Sequence, residues 1–364
     1  MVLIDLVLTI FIAKTLFFAF GVLKSRKIGS LSFPNNSLTV SVVIPARDEA
    51  ENLPACLESL MKQNADFCEF IIVNDRSSDE TQIVIDAFVK KDNRFKGIQL
   101  TEDRSGNLRG KPGAIHAGIM ASSGDIIMMS DADCTFPDGW IQKVKLYFGN
   151  EAVAMVAGFT TIRAQSLFHH MQDMEWLMNH TLASAGVALC MPLGCFGNNL
   201  SIRASVYREV GGYPGIPFSV TEDLLLLQRI AHGGYKILYP INGENAVSTL
   251  PCKDWKGFVS QQHRWVRGSE ALGWKKHLFV FFAIVFWGSV LSTIIQGDFN
   301  GTVSIFGMRI LCDCFLILPS LTAIKRMKQL PWIIPGMLFM IFIEIMVAML
   351  LLKRDVHWKG QTFK

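Results

Sequence analysis

The sequence predicts an α/β domain built on a mostly parallel sheet and flanked by segments that cross a membrane. Three observations predict it. Short apolar runs alternate with helical spacing between residues 41 and 130, and such alternation builds a parallel sheet with helices on both faces. Predominantly apolar stretches lie at 2–23, apart from Asp5 and Lys14, and at about 278–297, 302–324 and 331–352, each long enough for a hydrocarbon core of roughly 30 Å. Half of the residues are hydrophobic and 18% are charged, against roughly 25% charged in soluble domains.

The elements follow in order. Ser41–Pro45 reads as a short buried strand, Ala50–Gln63 as a helix, Phe70–Asp75 as a second strand and Ser78–Val89 as a second helix. Lys111–Ala121 is a third helix and Asp125–Ser130 another strand. Ligands of such sheets bind beyond the carboxyl ends of the strands. The organisation expected is an anchor at 1–23, a catalytic domain at 38–275, membrane helices at 277–352 and a basic tail at 353–364.

The first apolar run lacks a basic leader and is followed by Lys24, Arg26 and Lys27. That pattern suits an uncleaved anchor with its C-terminal end in the cytoplasm. Lys14 interrupts it, at about 3 kcal/mol if it faced lipid. Lys275, Lys276, Lys325, Arg326 and Lys328 mark further inside positions. A fourth full span would put Lys353, Arg354, Lys359 and Lys364 outside, so the last run either spans or re-enters. Arg309 and Asp313, four apart, are placed to pair within a span.

Net charge is +4 and no basic stripe with interleaved aromatics occurs, so nucleic acid is not an expected partner. None of the eight cysteines has CxxC spacing, which argues against structural zinc, and a disulfide framework is disfavoured.

The position of the carboxylates carries the functional reading. Asp75 ends one strand, and Asp131 and Asp133 follow another, so a parallel sheet gathers them at one edge. Asp75 alone serves equally as a helix start. Asp131 and Asp133 repel one another, and Mg²⁺ or Mn²⁺ would relieve that while neutralising a diphosphate. A polar turn before Pro137 is the plain alternative. Glu222 and Asp223 open a helix that Thr221 could cap; either acid could also serve as a general base. Gln261, Arg264 and Trp265 share one helix face, suited to phosphate and ring contacts or to the lipid interface.

Taken in order, six motifs resemble glycosyltransferase family 2, the inverting membrane enzymes with a GT-A (Rossmann-like) fold. They are Val43–Glu49, Val73-Asn74-Asp75, Gly110-Lys111, Asp131-Ala132-Asp133, Thr221-Glu222-Asp223 and Gln261-x-x-Arg264-Trp265, spread over residues 40–270. The resemblance implies that Pro45, Ala46, Arg47, Glu49 and Asp75 hold the base and ribose of a UDP-sugar, with Lys111 nearby. It implies that Asp133, helped by Asp131, holds Mg²⁺ or Mn²⁺ on the diphosphate. Asp223, beside Glu222, would be the base, and Gln261, Arg264 and Trp265 would hold the diphosphate and close the acceptor side. Asp48 departs from the pattern, since many relatives carry Asn there.

Within the family the tail Lys353–Gly360 and the span count resemble ceramide glucosyltransferases and bacterial carotenoid or glycolipid glucosyltransferases, which add one sugar to a lipid. The implied protein is a multi-pass enzyme of the bacterial inner membrane with a cytoplasmic catalytic domain. It would transfer a hexose, glucose-type favoured, to a lipid hydroxyl. Processive cellulose, hyaluronan or poly-N-acetylglucosamine synthases are the alternative, and a non-catalytic nucleotide-sugar binder is a distant one. The Met-rich segment 168–189 reads as core or as an interfacial helix against the bilayer. Asn199 either touches the acceptor or closes a turn, and His169 and His170 read as surface residues. Protease treatment of membranes is expected to release the domain as a soluble fragment.

Overall fold

A computed structural model describes residues 2–34, 37–64, 67–352, 356–358 and 361–363. The tail motif rests largely on Lys353, Arg354, Asp355, Lys359 and Gly360, which lie outside the described residues.

The chain opens with helix α1 (Val2–Gly29). It is longer than the apolar run, because Lys24, Arg26 and Lys27 are good helix formers and continue it. The domain follows as β1 (Val40–Ala46), α2 (Leu53–Met61), β2 (Cys68–Asp75), α3 (Thr81–Lys91), β3 (Phe95–Leu100), α4 (Lys111–Met120) and β4 (Ile126–Met129). Then come α5 (Trp140–Phe148), β5 (Val153–Ala157), β6 (Thr160–Ile162), α6 (Leu167–Ala188), β7 (Leu200–Arg203), α7 (Ala204–Glu209), α8 (Glu222–His232), β8 (Lys236–Leu238) and β9 (Val247–Thr249). Helix α9 (Trp255–Gly268) leads into α10 (Lys276–Ile295), α11 (Phe299–Ala323) and α12 (Ile333–Leu350), and β10 (Val356–Trp358) pairs with β11 (Gln361–Phe363).

Seven strands form one sheet in the order β3-β2-β1-β4-β7-β5-β8. The first four run parallel, and β7 is antiparallel to both β4 and β5. Register sets the site. Ala46 lies opposite Asn74, and Met129 opposite Val43, so β1, β2 and β4 end together at one sheet edge. Strands β1 and β2 are almost entirely buried, as strands covered on both faces must be.

Among the described residues four helical stretches are long and apolar enough to cross a membrane: Ile4–Gly29, Trp255–Ile295, Phe299–Ala323 and Met327–Leu350. Their polar groups face one another. Arg309 Nε donates to Asp313 at 2.6 Å, as the spacing predicts, and Arg309 Nη2 to Glu344 at 2.5 Å. Lys14 lies over the Phe11 and Phe282 rings at 4.8 and 5.4 Å, inside the helix cluster rather than toward lipid. Arg326, past α11, pairs with buried Asp173 of α6 at 2.8 Å. Trp332, before α12, stacks on His170 at 4.3 Å. Beyond α12, strand β10 lies beside α9, so the last apolar run is both preceded and followed by segments placed against the domain.

Helix α6 is core. Residues Met171 through Met178 are all buried, covered by α1, α11, α12 and β6. This favours the core reading of the Met-rich segment over exposure to the bilayer. His169 and His170 are half-buried rather than surface residues, with His170 held by Trp332 and by Gln329 at 3.0 Å.

Candidate active site

The shared strand edge opens into two abutting chambers of about 220 and 110 Å³. The larger is lined by Pro45, Ala46, Arg47 and Glu49 after β1, Asp75 after β2, Lys111 of α4, and Asp131 and Asp133 after β4. Gln261 and Arg264 of α9 close it. The smaller adds Glu222 and Asp223 of α8, Phe196, Gly197 and Trp265.

Local chemistry explains each placement. Gly110 has φ +70° and its N–H donates to Asp103 at 3.0 Å, so the chain turns sharply and presents Lys111 at the start of α4. A side chain at Gly113 would meet the Leu108 carbonyl at 2.1 Å. Asp79, not Asp75, starts α3, accepting from the Thr81 N–H at 3.0 Å. Asp75 is thereby released to the cleft, braced by Arg76 at 2.9 Å. Asp48 sits at φ +53°, a left-handed conformation that Asp and Asn both tolerate. Its carboxylate accepts from the Ser78 N–H at 2.7 Å, so the departure from Asn leaves the chamber lining unchanged. Thr221 makes no side-chain cap on α8; its hydroxyl meets Ser219 instead.

Charge is concentrated here. Lys111 Nζ lies 2.6 Å from Asp131 and 3.8 Å from Glu222. Burial works against its ammonium, but Asp131 and Glu222 outweigh that and hold its pKa above the ordinary lysine value. Burial and then the neighbouring Asp131 push Asp133 up. Burial likewise raises Glu222 and Asp223, with Lys111 opposing. Asp223 is held rigidly: Oδ2 accepts from the Gly197 N–H at 2.6 Å and Oδ1 from the Leu224 N–H at 2.8 Å.

Among the described residues no group of three or more His, Cys, Asp or Glu side chains forms a metal cage. Asp131 and Asp133 are a two-carboxylate set crowded on one chamber wall. That donor set fits a hard cation which takes its remaining ligands from phosphate and water.

Residues 41–211 match the family model "Glycosyl transferase family 2". These residues form a family 2 glycosyltransferase domain. Over 245 residues the chain is 29% identical to the "Probable glycosyltransferase YdaM" of Bacillus subtilis strain 168, spanning 64% of this chain and 55% of that protein. It is 25% identical over 234 residues to the "Poly-beta-1,6-N-acetyl-D-glucosamine synthase" of Staphylococcus epidermidis, covering 64% of this chain and 54% of the synthase. The match thus spans about half the length of both relatives. Among solved structures, the mannosyltransferase PcManGT from Pyrobaculum calidifontis, in complex with GDP-Man and Mn²⁺, superposes with a TM-score of 0.55 at 14% identity, covering 96% of each chain. That likeness is one of fold: the glycosyltransferase domain has the GT-A-like α/β sheet.

All the donor, metal and base residues read from the sequence line the two chambers of the glycosyltransferase domain. Of the two readings of Asn199, acceptor contact or turn closure, its hydrogen bonds favour the second. Its Nδ2 donates to the Phe159 and Asn245 carbonyls, each at 2.8 Å, and its Oδ1 accepts from Trp140 at 3.2 Å. It braces the loop and lines neither chamber, whereas its neighbour Asn198 lines both. Trp176 of α6 also lines both. Sequence reasoning missed it because it lies in a Met-rich helix with the composition of core.

Proposed function

We propose that this glycosyltransferase is an inverting, metal-dependent enzyme. It moves a hexose, glucose-type favoured, from a UDP-sugar to a hydroxyl of a membrane lipid on the cytoplasmic face of a bacterial inner membrane. The observation that carries the reading is the division of charge between the chambers. Asp133 lines only the larger chamber and Glu222 and Asp223 only the smaller, with Lys111, Asp131 and Arg264 lining both between them; on this reading the diphosphate lies on the Asp133 side and the base on the other.

Pro45, Ala46, Arg47, Glu49 and Asp75 would bind the uridine. Asp131 and Asp133 would hold Mg²⁺ or Mn²⁺, which when bound neutralises charge growing on the leaving diphosphate. Lys111, kept charged by its neighbours, and Arg264 add positive charge from the junction. Asp223, fixed by two backbone N–H groups, takes the proton of the acceptor hydroxyl. A base facing the leaving group across the sugar implies in-line attack and inversion, with Glu222 setting the local charge. The lipid acceptor is favoured because α9, which carries Gln261, Arg264 and Trp265, continues into the membrane-length stretch ending at Ile295. Similarity to the poly-N-acetylglucosamine synthase favours the second reading, a processive synthase.

The test is a donor assay on membranes with radiolabelled UDP-glucose or UDP-N-acetylglucosamine, with Mn²⁺ or with EDTA. Products are divided between organic solvent and polymer precipitate. Label is expected in the organic phase, only with metal, and Asp223→Asn should lower transfer about 10²- to 10⁴-fold while UDP binding persists. Full transfer by that variant would sink the base assignment. Label in the precipitate would replace the lipid acceptor by a polymer.

A further inference from the structure

The two chambers share six lining residues: Lys111, Asp131, Trp176, Asn198, Gln261 and Arg264. On the proposed function, the diphosphate lies on one side of this junction and the base on the other. The anomeric carbon is bonded to the first and attacked with help from the second. The transferred sugar therefore occupies the junction, and these six residues surround it.

Two of them carry unanswered polar atoms. Trp176 is 6% exposed, and its Nε1–H, a donor only, has no hydrogen-bond partner among the described residues. Gln261 Oε1, an acceptor, is likewise buried without one. A buried polar atom without a partner costs its full desolvation penalty, so most such atoms in folded proteins are paired. Of the neighbouring groups, Trp140 Nε1 is paired with Asn199 and Gln262 Nε2 with Glu175, whereas the Gln142 and Asn245 amides, which line neither chamber, also carry atoms unpaired among the described residues; what sets Trp176 and Gln261 apart is that both line the junction. The Trp176 ring is also held in place, stacked at 5.2 Å on Phe196 and edge-on to Trp265 at 5.6 Å.

We propose that Trp176 is a specificity-determining residue, its Nε1–H donating to one hydroxyl of the transferred sugar while Gln261 accepts from the same or an adjacent hydroxyl. A sugar hydroxyl both donates and accepts, which is the complement of one orphan donor and one orphan acceptor. A site that hydrogen-bonds a hydroxyl rejects the analogue lacking it more strongly than an apolar pocket rejects a change of size. The phosphate-binding groups leave this discrimination undone, because they see the same diphosphate on every donor.

The inference rests on the proposed function but not on its acceptor, because the experiment reads UDP release. Label in a polymer would overturn the lipid reading and leave this test intact. UDP release by membranes is measured with UDP-glucose and with its monodeoxy analogues at carbons 2, 3, 4 and 6, for the parent and Trp176→Phe. UDP affinity of each protein is measured separately. The expected result is a kcat/KM lowered about tenfold by Trp176→Phe, the size of one hydrogen bond, with UDP affinity unchanged. One deoxy donor should then be used equally by parent and variant, because its missing hydroxyl is the partner of the missing N–H. Equal losses with every donor, or UDP affinity falling in step with turnover, would make the residue structural and overturn the inference. Unchanged turnover of UDP-glucose would overturn it too.

Discussion

Glu175 stands next to Trp176 and has the opposite kind of problem: a buried carboxyl with no ion pair among the described residues. Its Oε1 accepts from Gln262 at 2.7 Å, and its Oε2 has no partner among those residues. Burial pushes its pKa up to about 7, above the ordinary value near ~4.3 for an unfolded chain. A raised acid binds more protons folded than unfolded, so stability falls as pH rises through that window and levels off above it. Glu175→Gln keeps the acceptor and removes the ionisation. The variant should unfold at a higher temperature than the parent at pH 8, by up to about 3 kcal/mol, and match it at pH 5. Equal shifts at both pH values, read by thermal unfolding in detergent, would show that Glu175 does not titrate in this range. The same scale shows what the sequence makes legible. Asp75, Asp131 and Asp133 were readable because strand ends of a parallel sheet leave them no other edge. The choice between Asn198 and Asn199 was not, because it turns on one residue of loop register, and the Trp140 indole and two carbonyls that claim Asn199 are distant in sequence.

Among the elements, α1 packs closely against the domain. At Gly21 an added Cβ would lie 2.7 Å from the Ala185 carbonyl and 2.9 Å from its Cβ, so α1 and α6 touch backbone to side chain. At Gly29 the helix end is pinned, its carbonyl accepting from Asn242 at 2.7 Å and from Tyr147 at 3.1 Å. Close approach of this kind needs a small residue. Gly21→Leu should therefore destabilise the protein by about 1–3 kcal/mol through overpacking, while Leu16→Ala, on an exposed face, should change little. Equal unfolding temperatures for parent and Gly21→Leu in detergent would mean that the two helices are free to separate. Hydrophobicity alone found α1 and the three later helices, because crossing a bilayer demands composition. It did not find their partners. Glu344 joins Arg309 and Asp313, and that third member lies on another helix, beyond the reach of a four-residue spacing rule. The short strands β5 to β9 also escaped, being three to five residues long and interrupted by helices.

At the scale of the whole molecule, the sheet and the membrane helices share one core. A single buried cluster runs from Val43, Met129 and Ile202 of the sheet through Met174 and Leu177 of α6. It continues to Val22 of α1, Leu316 and Leu321 of α11 and Met337 of α12. The composition of the sequence suggests a soluble domain tethered by helices, and that picture leads one to expect a soluble proteolytic fragment. The shared core reverses the expectation. Cleavage near residues 30–34 and in the kinked Ser269–Lys275 segment would uncover the faces of α6 that α1, α11 and α12 now cover. At roughly 25 cal/mol per Å² of apolar area, a helix of 22 residues, most of them buried, loses more than a marginally stable domain can spare. Arg326 would also leave Asp173 as a buried carboxylate without its cation, a loss of about 3–5 kcal/mol for pairs of this kind. Limited proteolysis of membranes should therefore cut these connections yet leave the domain in the membrane pellet. UDP binding should stay with the pellet and dissolve only with detergent. A UDP-binding fragment in the supernatant would show instead that the domain folds without its helices, and the contacts of α6 would then be docking contacts rather than core.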